Sequence, residues 1–264
     1  MMYRFVCARA LRRFRDVVLA LPSVLSVAVW FGASPVIAQT ALVWNGNLNN
    51  QWDVNATANW LAGATASVFT NGAGVFFSDA AAGPGTVTVV GTVQPGAITV
   101  SNLSKLYLWS GPGVVDGTGT FTKLGAAPFT LTGTIRLTTT GNFAVGAGTV
   151  TILGGGGQTN VVNGQLWVGH TPDSPGHLIL SNAAVSVSSW FAVGRGNGTV
   201  GHSSSATLYD SVLSCNNTAL GYWANLSGNR QNPVLTLNGN SRLVNGGSTG
   251  FNLGESSGSS ATVT

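Results

Sequence analysis

The sequence has 264 residues, of which 44% are hydrophobic and only 7% are charged, and its formal net charge is +4. The excess charge lies at positions 1–16, where five arginines accompany one aspartate, and the six basic and six acidic residues that follow balance each other. A neutral remainder excludes a basic surface for nucleic-acid phosphates. The 37 glycines, the low charge and the scarcity of helix formers predict an all-β protein.

The first predicted element is a signal peptide over residues 1–38. An arginine-rich start precedes an uncharged apolar run at residues 17–31, and small residues lie just before Gln39. The alternative is a retained membrane anchor over residues 17–38, which is long enough to span a bilayer. Pro22 and Gly32 within this run favour cleavage. Cys7 would leave with the signal peptide, so Cys215 would have no disulfide partner, and we expect it to be a small buried residue.

Residues 39–116 are predicted to form an N-terminal cap and irregular β-strands. Trp44, Trp52 and Trp60 lie in an Asn-rich, turn-prone stretch. The terminal unit of a repeat protein exposes an apolar end, so large aromatic residues here indicate a cap. A platform for stacking sugars is the alternative. Short strands are expected near residues 75–77, 86–90, 97–100 and 106–109, between Gly, Pro, Asn and Ser.

Residues 117–133 read GTGTFTKLGAAPFTLTG. This stretch resembles the autotransporter-associated β-strand repeat, through the glycines at 117, 119, 125 and 133 together with Lys123 and Leu131. Ala127 and Phe129 depart from that pattern, as do residues 136–141. The resemblance implies a passenger-type bacterial surface protein, built of right-handed coils and followed by a β-barrel translocator that this sequence does not contain.

Two anchors recur between residues 143 and 264. The first is a strand doublet, whose final residues are separated by steps of 28, 28, 29 and 26: VTI (150–152), LIL (178–180), ATL (206–208), LTL (235–237) and ATV (261–263). The second is a strand that ends in glycine: FAVG (143–146), LWVG (166–169), FAVG (191–194), TALG (218–221) and FNLG (251–254). Self-similarity at such a period indicates a solenoid, a propeller or an array.

The glycine-ended strands also predict side-chain directions. The residues one and three positions before the glycine are mostly apolar and should point inward, whereas the residue between them varies and should face out. The glycine itself is expected at positive φ. A third strand, such as the one at 185–187, completes each unit.

Residues 117–264 are therefore predicted to be parallel β-solenoid repeats with three short strands per coil, truncated within a repeat and thus part of a longer protein. An antiparallel sandwich is the alternative, because Asn-Gly pairs are hairpin signals. The long period argues against it, since the strands of a hairpin-built sandwich usually recur at a much shorter spacing.

Candidate chemistry is sparse. His170, Asp173 and His177 lie close enough in sequence for a metal site, but Pro172 and Pro175 mark a loop without metal-ligand spacing. The remaining acids fall in different segments, and only Asp173 and Asp210 are placed to lie one coil apart as a carboxylate pair. The glycine run at 154–157 lacks the lysine of a phosphate loop. No catalytic, metal-binding or cofactor-binding residue is predicted, and no cofactor.

Three functions are compatible with this pattern. The first is a non-catalytic, exported structural or adhesive β-solenoid that contacts surface glycans or a neighbouring cell at the cell surface, outer membrane or extracellular space. The second is a polysaccharide lyase or hydrolase, which needs Asp173, Asp210, Arg195 and Arg230 gathered in one groove. The third is a carbohydrate-binding module, which needs at least two exposed rings among six tryptophans: Trp44, Trp52, Trp60, Trp109, Trp167 and Trp223.

Overall fold

The computed structural model describes residues 41–137, 141–155, 157–170, 174–195, 203–221, 232–248, 250–254 and 260–264. The chain divides into two compact units, Met1–Ile37 and Ala38–Thr264, and the described residues all belong to the second. The predicted signal peptide lies outside them. Within the described ranges, no helix is long and apolar enough to cross a membrane.

The described residues form strands and turns, with no helix among them. The strands are β1 (Leu42–Trp44), β2 (Gln51–Trp52), β3 (Trp60–Ala62), β4 (Thr65–Ser67), β5 (Val75–Ser78), β6 (Thr86–Val89), β7 (Thr92–Val93), β8 (Ile98–Ser101), β9 (Tyr107–Ser110), β10 (Val114–Gly117), β11 (Phe121–Leu124), β12 (Phe129–Leu131), β13 (Thr134–Leu137), β14 (Phe143–Val145), β15 (Gly148–Leu153), β16 (Thr159–Val162), β17 (Leu166–Val168), β18 (Gly176–Ser181), β19 (Ala184–Val193), β20 (Ser205–Tyr209), β21 (Val212–Leu220), β22 (Val234–Asn238), β23 (Arg242–Asn245), β24 (Phe251–Leu253) and β25 (Thr262–Val263). The prediction of an all-β protein is confirmed.

The strands assemble into a 16-stranded and a 9-stranded sheet, in which almost all neighbours are parallel. The smaller sheet is one row, β2-β6-β9-β12-β15-β18-β20-β22-β25. The larger sheet contains two rows, β1-β5-β8-β11-β14-β17 and β7-β10-β13-β16, which meet in the long strands β19 and β21. The chain therefore visits three rows of parallel strands in turn, which we call the first row (β1 onward), the second row (β2 onward) and the third row (β7 onward).

The predicted long period appears as strand register. In the second row Val150 pairs with Leu178, and Leu178 pairs with Ala206, so each partner lies one full period of the doublets further along the chain. The parallel rows also include strands from residues 39–116, the segment that was predicted to be irregular. There Val75 pairs with Ile98, and Ile98 with Phe121, at a shorter step that the sequence pattern did not reveal.

The interior is filled by alternate residues of each strand. In β18 and β20 the burial alternates strictly, with Leu178, Leu180, Ala206 and Leu208 fully buried and the residues between them half-buried. Within each row, equivalent apolar residues of successive strands lie next to one another because the register is parallel. Strand stacking at a spacing of about 4.8 Å therefore produces continuous columns of apolar side chains.

The inward prediction for the first row holds at Val145, Val168, Val193 and Leu220, all of which are buried. Phe251 and Leu253 pair in register with the buried Thr218 and Leu220, which places them on the same side of the sheet, and they are 40% and 53% exposed. The alanines expected to face solvent, Ala144 and Ala192, are buried. Ala219, the third alanine at this position, is buried as well. Trp167 pairs with both Ala144 and Ala192 in the parallel register, so these three residues are neighbours on one side of the sheet.

Two further details differ from the sequence prediction. Val263 pairs with Leu235 instead of Leu237. The last step in the second row is therefore as long as the first two, whereas the doublets predicted a shorter step. A shift of two residues keeps the same face inward, so side-chain pattern alone could not detect it. Positive φ is confirmed at Gly169, Gly194, Gly221 and Gly254, whereas in the unit of Gly146 it occurs two residues later, at Gly148.

The antiparallel strands lie at the β1 edge of the larger sheet. β3 pairs with β1 and β4 pairs with β3, both antiparallel, in contrast to the rest of the sheet. Trp44, Trp52 and Trp60 are fully buried beside them and pack edge-to-face, with ring centroids 5.0 and 5.3 Å apart. These rings fill the interior at this edge of the sheet.

Candidate functional site

The tryptophans proposed for sugar stacking separate into buried and outward-facing residues. Trp44, Trp52, Trp60 and Trp109 have no exposed surface, so none of them offers a ring face to a ligand. Trp223 lies outside the described residues, as do Asp173 and Arg230. Trp167 is half-buried on the outward side of β17.

The described carboxylates are engaged in holding loops. Asp53 accepts hydrogen bonds from the backbone N–H and the hydroxyl of Thr57, at 2.8 and 2.6 Å. Asp210 accepts one from the backbone N–H of Asn240, and Asp116 accepts one from the side-chain amide of Gln94. The contacts of Asp116 and Asp210 join neighbouring turns, and those of Asp53 close its own turn, so these carboxylates have structural roles in the described part of the chain.

Asp79 is the most strongly engaged of them. It accepts the backbone N–H groups of Leu103, Lys105 and Ser104 at 2.7, 2.6 and 2.9 Å. These three hydrogen bonds hold the pKa of Asp79 well below its usual range, because they stabilise the ionised carboxylate. Asp79 thereby anchors the turn after β8 to the turn after β5.

Lys123 points into the interior, although its position in the first row is otherwise apolar. It pairs with Val100 on one side and Val145 on the other, and its side chain is fully buried. Its ammonium donates to the carbonyl oxygens of Leu124 and Gly125 at 2.9 and 2.7 Å. Burial lowers the pKa of Lys123 to about 8. Because the side chain of Lys123 has no exposed surface, a ligand cannot contact it, and we assign Lys123 a structural role.

The two histidines that the sequence analysis considered as metal ligands and set aside contact other side chains. His177 Nδ1 is 2.9 Å from the hydroxyl of Ser205 in the next strand of the second row, and the ring of His170 packs against Trp167 with centroids 4.3 Å apart. Burial lowers the pKa of both imidazoles, and the charge of Arg195 lowers the pKa of His170 further. Among the described residues, no three His, Cys, Asp or Glu side chains converge on a possible metal position. Cys215 is buried beside Thr218, and burial raises the pKa of its thiol.

Five side chains do converge on the outward side of β17 and β19, and we call them the Trp–Arg cluster: Gln165, Trp167, His170, Trp190 and Arg195. The guanidinium of Arg195 lies over the ring of Trp167, with its carbon atom 3.8 Å from the ring centroid. The indole N–H of Trp167 donates to the Gln165 side-chain oxygen at 2.7 Å. Stacking and hydrogen bonding therefore fix the orientation of Trp167 and Arg195.

A small cleft lies within this cluster. It has a volume of about 60 Å³ and is lined by Gln165, Trp190, Ala192 and Arg195. Trp167 and Ala192 occupy equivalent positions in neighbouring strands of the parallel register. The methyl group of Ala192 is much smaller than the indole of Trp167, so space remains beside it. A small outward residue next to a large one thus creates a recess.

A bulge in β19 sets the position of Trp190. Val187 pairs with Cys215 and Trp190 with Asn217, so two residues of β19 lie opposite one residue of β21. Such a bulge bends the strand and re-aims the side chain that follows it. Sequence reasoning placed Arg195 in a possible catalytic groove and also, with His170, Tyr222 and Glu255, in an outward column after the glycines that favoured a solvated edge over a binding strip. It missed Trp190. Its outward position just before FAVG (191–194) was the available signal.

Comparison of the chain with protein-family models, with curated proteins and with solved structures finds no match.

Proposed function

We propose that the chain is a non-catalytic, exported structural protein, whose strands wind as a parallel β-solenoid with three strands per coil. One observation supports this proposal most directly. In all three rows, each strand pairs in parallel with the strand that lies about one repeat unit further along the chain. In the third row Val115 pairs with Ile135, and in the second Phe129 with Val150, as the first row pairs Phe121 with Phe143. Each unit then buries its apolar side chains against its neighbours. The right-handed sense comes from the family resemblance.

The polar groups support a structural role. The described carboxylates bind backbone or amide groups of neighbouring turns, and Lys123 is enclosed among carbonyl oxygens. In the described part of the chain, these carboxylates are bound to groups that hold turns, whereas general acid–base cleavage of a polysaccharide requires two acids facing one cleft.

In this proposal the protein is a passenger-like segment of a bacterial surface protein, located at the cell surface, outer membrane or outside the cell. It acts as a spacer or an adhesive surface, with glycans or a neighbouring cell as partners. The resemblance of residues 117–133 to the autotransporter-associated repeat supports this assignment. So does the arginine-rich, apolar start of the chain, which is typical of an export signal.

Export can be tested with the complete gene in its native host or a Gram-negative host. We expect the mature protein to begin at Gln39 and to be removed from intact cells by external protease. A matched variant in which two leucines of the apolar run, Leu19 and Leu21, are replaced by arginine should remain inside the cell with an intact start. Recovery of the unaltered protein with Met1 in the cytoplasm would contradict the proposal.

A further inference from the structure

A groove follows the turns that lead from the second row into the third row. Its first cavity, of about 270 Å³, is lined by the starts of β10, β13 and β16 and by the turns before them. Its second cavity, of about 350 Å³, lies against the starts of β19 and β21. The two cavities share Gly154, Gly155 and Gln158, so they adjoin across five successive units, and together we call them the corner groove.

Two polar side chains of the first cavity are buried but keep free hydrogen-bonding atoms. Asn160 is 2% exposed and Thr134 is 8% exposed. The side-chain oxygen of Asn160 accepts the backbone N–H of Ile135 at 2.9 Å, whereas its amide nitrogen and the Thr134 hydroxyl have no hydrogen-bond partner among the described residues. Neither atom is sealed from solvent, so both are open to the cavity. Because an unpaired buried polar group is costly, they favour an occupant that supplies hydrogen bonds.

The lining of the first cavity selects a neutral occupant. None of the residues that line it is charged, so it has neither a cation for an acidic ligand nor an anion for a basic one. The exposed amide of Gln158 at its rim both donates and accepts hydrogen bonds, and Pro112 and Leu153 add apolar surface. A neutral sugar matches this mixture, because its hydroxyl groups donate and accept while the C–H face of its ring packs on apolar side chains.

Size and strand pairing separate a sugar from a peptide. The volume of about 270 Å³ is close to the lower bound of about 300 Å³ for small-molecule sites, so it suits a single sugar ring. An extended peptide binds a sheet by pairing with an open strand edge. β10, β13 and β16 each have a strand partner on both sides, so the first cavity offers no such edge.

We propose that the corner groove binds an extended, neutral hexose polysaccharide, one ring of which lies in the first cavity and hydrogen-bonds to the Asn160 amide and the Thr134 hydroxyl. The polysaccharide continues over Gly155, where no side chain closes the groove, into the second cavity. This inference rests on the proposed function, because it assigns a ligand class to the adhesive surface.

The test measures binding of the purified chain to three extended hexasaccharides, cellohexaose, β-1,4-mannohexaose and β-1,4-galactohexaose, by titration calorimetry. We expect at least one of them to bind. Thr134→Val keeps the shape of the side chain but removes its hydroxyl, so it should weaken that binding at least five-fold. Thr99→Val, on the half-buried side of β8 in the first row, is the matched control and should bind like the original chain.

A second variant fills the first cavity. A Cβ added at Gly133 lies 3.9 and 4.0 Å from the carbonyl oxygens of Gly111 and Gly113, and all three residues line the cavity. Gly133→Leu therefore places a larger side chain among them without a backbone clash, and it should abolish binding. Gly74→Leu is its control, because the nearest atoms to an added Cβ are 3.8 and 3.9 Å away, and it should leave binding unchanged.

Circular dichroism of each variant shows whether it is folded, so loss of binding is not confused with unfolding. If the folded original chain binds none of the three hexasaccharides, the groove holds only water and the inference is wrong. Unchanged binding by Gly133→Leu would place the ligand elsewhere and overturn it, as would equal loss in Thr134→Val and Thr99→Val. These measurements use purified protein and do not depend on export, so a failure here is distinct from a failure of the proposed function.

Discussion

At the residue scale, the most informative side chain is Lys123. Hydropathy predicts that a lysine in a strand faces water, yet this one occupies an inward position between Val100 and Val145. Its ammonium makes hydrogen bonds to carbonyl oxygens of the following turn and reaches the carbonyl of Ala147 in the next unit at 3.4 Å. Burying a charge is costly unless such partners replace water. Lys123 thus fastens two successive turns from the inside.

This environment makes stability depend on pH in a specific direction. The pKa of Lys123 falls from 10.5 to about 8 because burial disfavours the ammonium. Between about pH 8 and pH 10.5 the unfolded chain binds more protons than the folded one, so the contribution of Lys123 to the free energy of unfolding rises with pH and is lost as pH falls towards 8. For a fully buried group, the rise between pH 7.5 and 10 should be roughly 2 kcal/mol.

Urea unfolding of the original chain and of Lys123→Met at these two pH values measures this effect. The other titrating groups are common to both proteins, so the difference between the two free energies isolates Lys123. We expect the difference to move in favour of the original chain as pH rises. Curves that stay parallel would show that Lys123 keeps an ordinary pKa and reaches solvent.

The residues also show what the sequence could and could not predict. Inward positions such as Val168 and Val193 follow from alternation and were predicted correctly. The inward position of Lys123 was not predicted, because its hydrogen-bond partners are backbone carbonyls, which carry no sequence signal. The Trp–Arg cluster was missed for another reason: Trp167 and Arg195 belong to different units of the chain, and the parallel register brings them together.

At the element scale, the turn after β11 packs closely against the turn after β8. Gly125 follows β11 at a φ of +79°, and a Cβ added there would overlap the carbonyl oxygen of Asn102 in the turn of the preceding unit. Asn102 is itself buried, and its side-chain amide donates to the carbonyl oxygens of Lys105 and Pro128 at 2.6 and 3.1 Å. Stacking of the turns therefore fixes the distance between units at this corner.

The element scale also shows the limits of periodicity. The sequence spacing between the paired strands β15 and β18 could be predicted, because similar doublets recur in the second row, from VTI (150–152) onward. The shorter spacing between β5, β8 and β11 could not be predicted from the sequence, because Val75, Ile98 and Phe121 share only their apolar character and their register. Pairing in a parallel row requires inward apolar residues at intervals, but it does not require that residue identities recur.

Gly125→Ala tests the packing of the turns. We expect it to lower the free energy of unfolding by about 2 kcal/mol or more, because positive φ is strained for alanine and the Asn102 backbone must move. Gly155→Ala is the matched control, since no atom lies within 4 Å of its added Cβ, and it should change stability by less than about 0.5 kcal/mol. Urea unfolding measures both. Equal small effects would mean that neighbouring turns do not constrain each other.

At the scale of the whole described unit, strand pairing makes successive segments equivalent. Ser181 pairs with Tyr209, and the residues that follow them, Asn182 and Asp210, share an unusual left-handed φ of 48° and 46°. The backbone N–H of Asn182 donates to the Tyr209 carbonyl, and that of Asp210 donates to the carbonyl of Asn238, so the same contact recurs one unit later. A chain that leaves Ser181 and continues at Asp210 would therefore keep both its direction and its register.

This equivalence predicts that one complete unit can be removed. Deletion of residues 182–209 joins Ser181 to Asp210, so that Val162 can pair with Cys215 and Val168 with Leu220, as each pairs now with the corresponding residue of the deleted unit. Because each unit of a stacked array contacts only its neighbours, the shortened protein should still fold, with β-type circular dichroism, cooperative unfolding and a smaller dependence of the unfolding free energy on urea. Deletion of residues 182–195 removes half a unit and brings strands of different rows into register, so the apolar columns no longer align. It should abolish cooperative unfolding. If the two deletions behave alike, the units are not interchangeable, and the solenoid proposal is wrong.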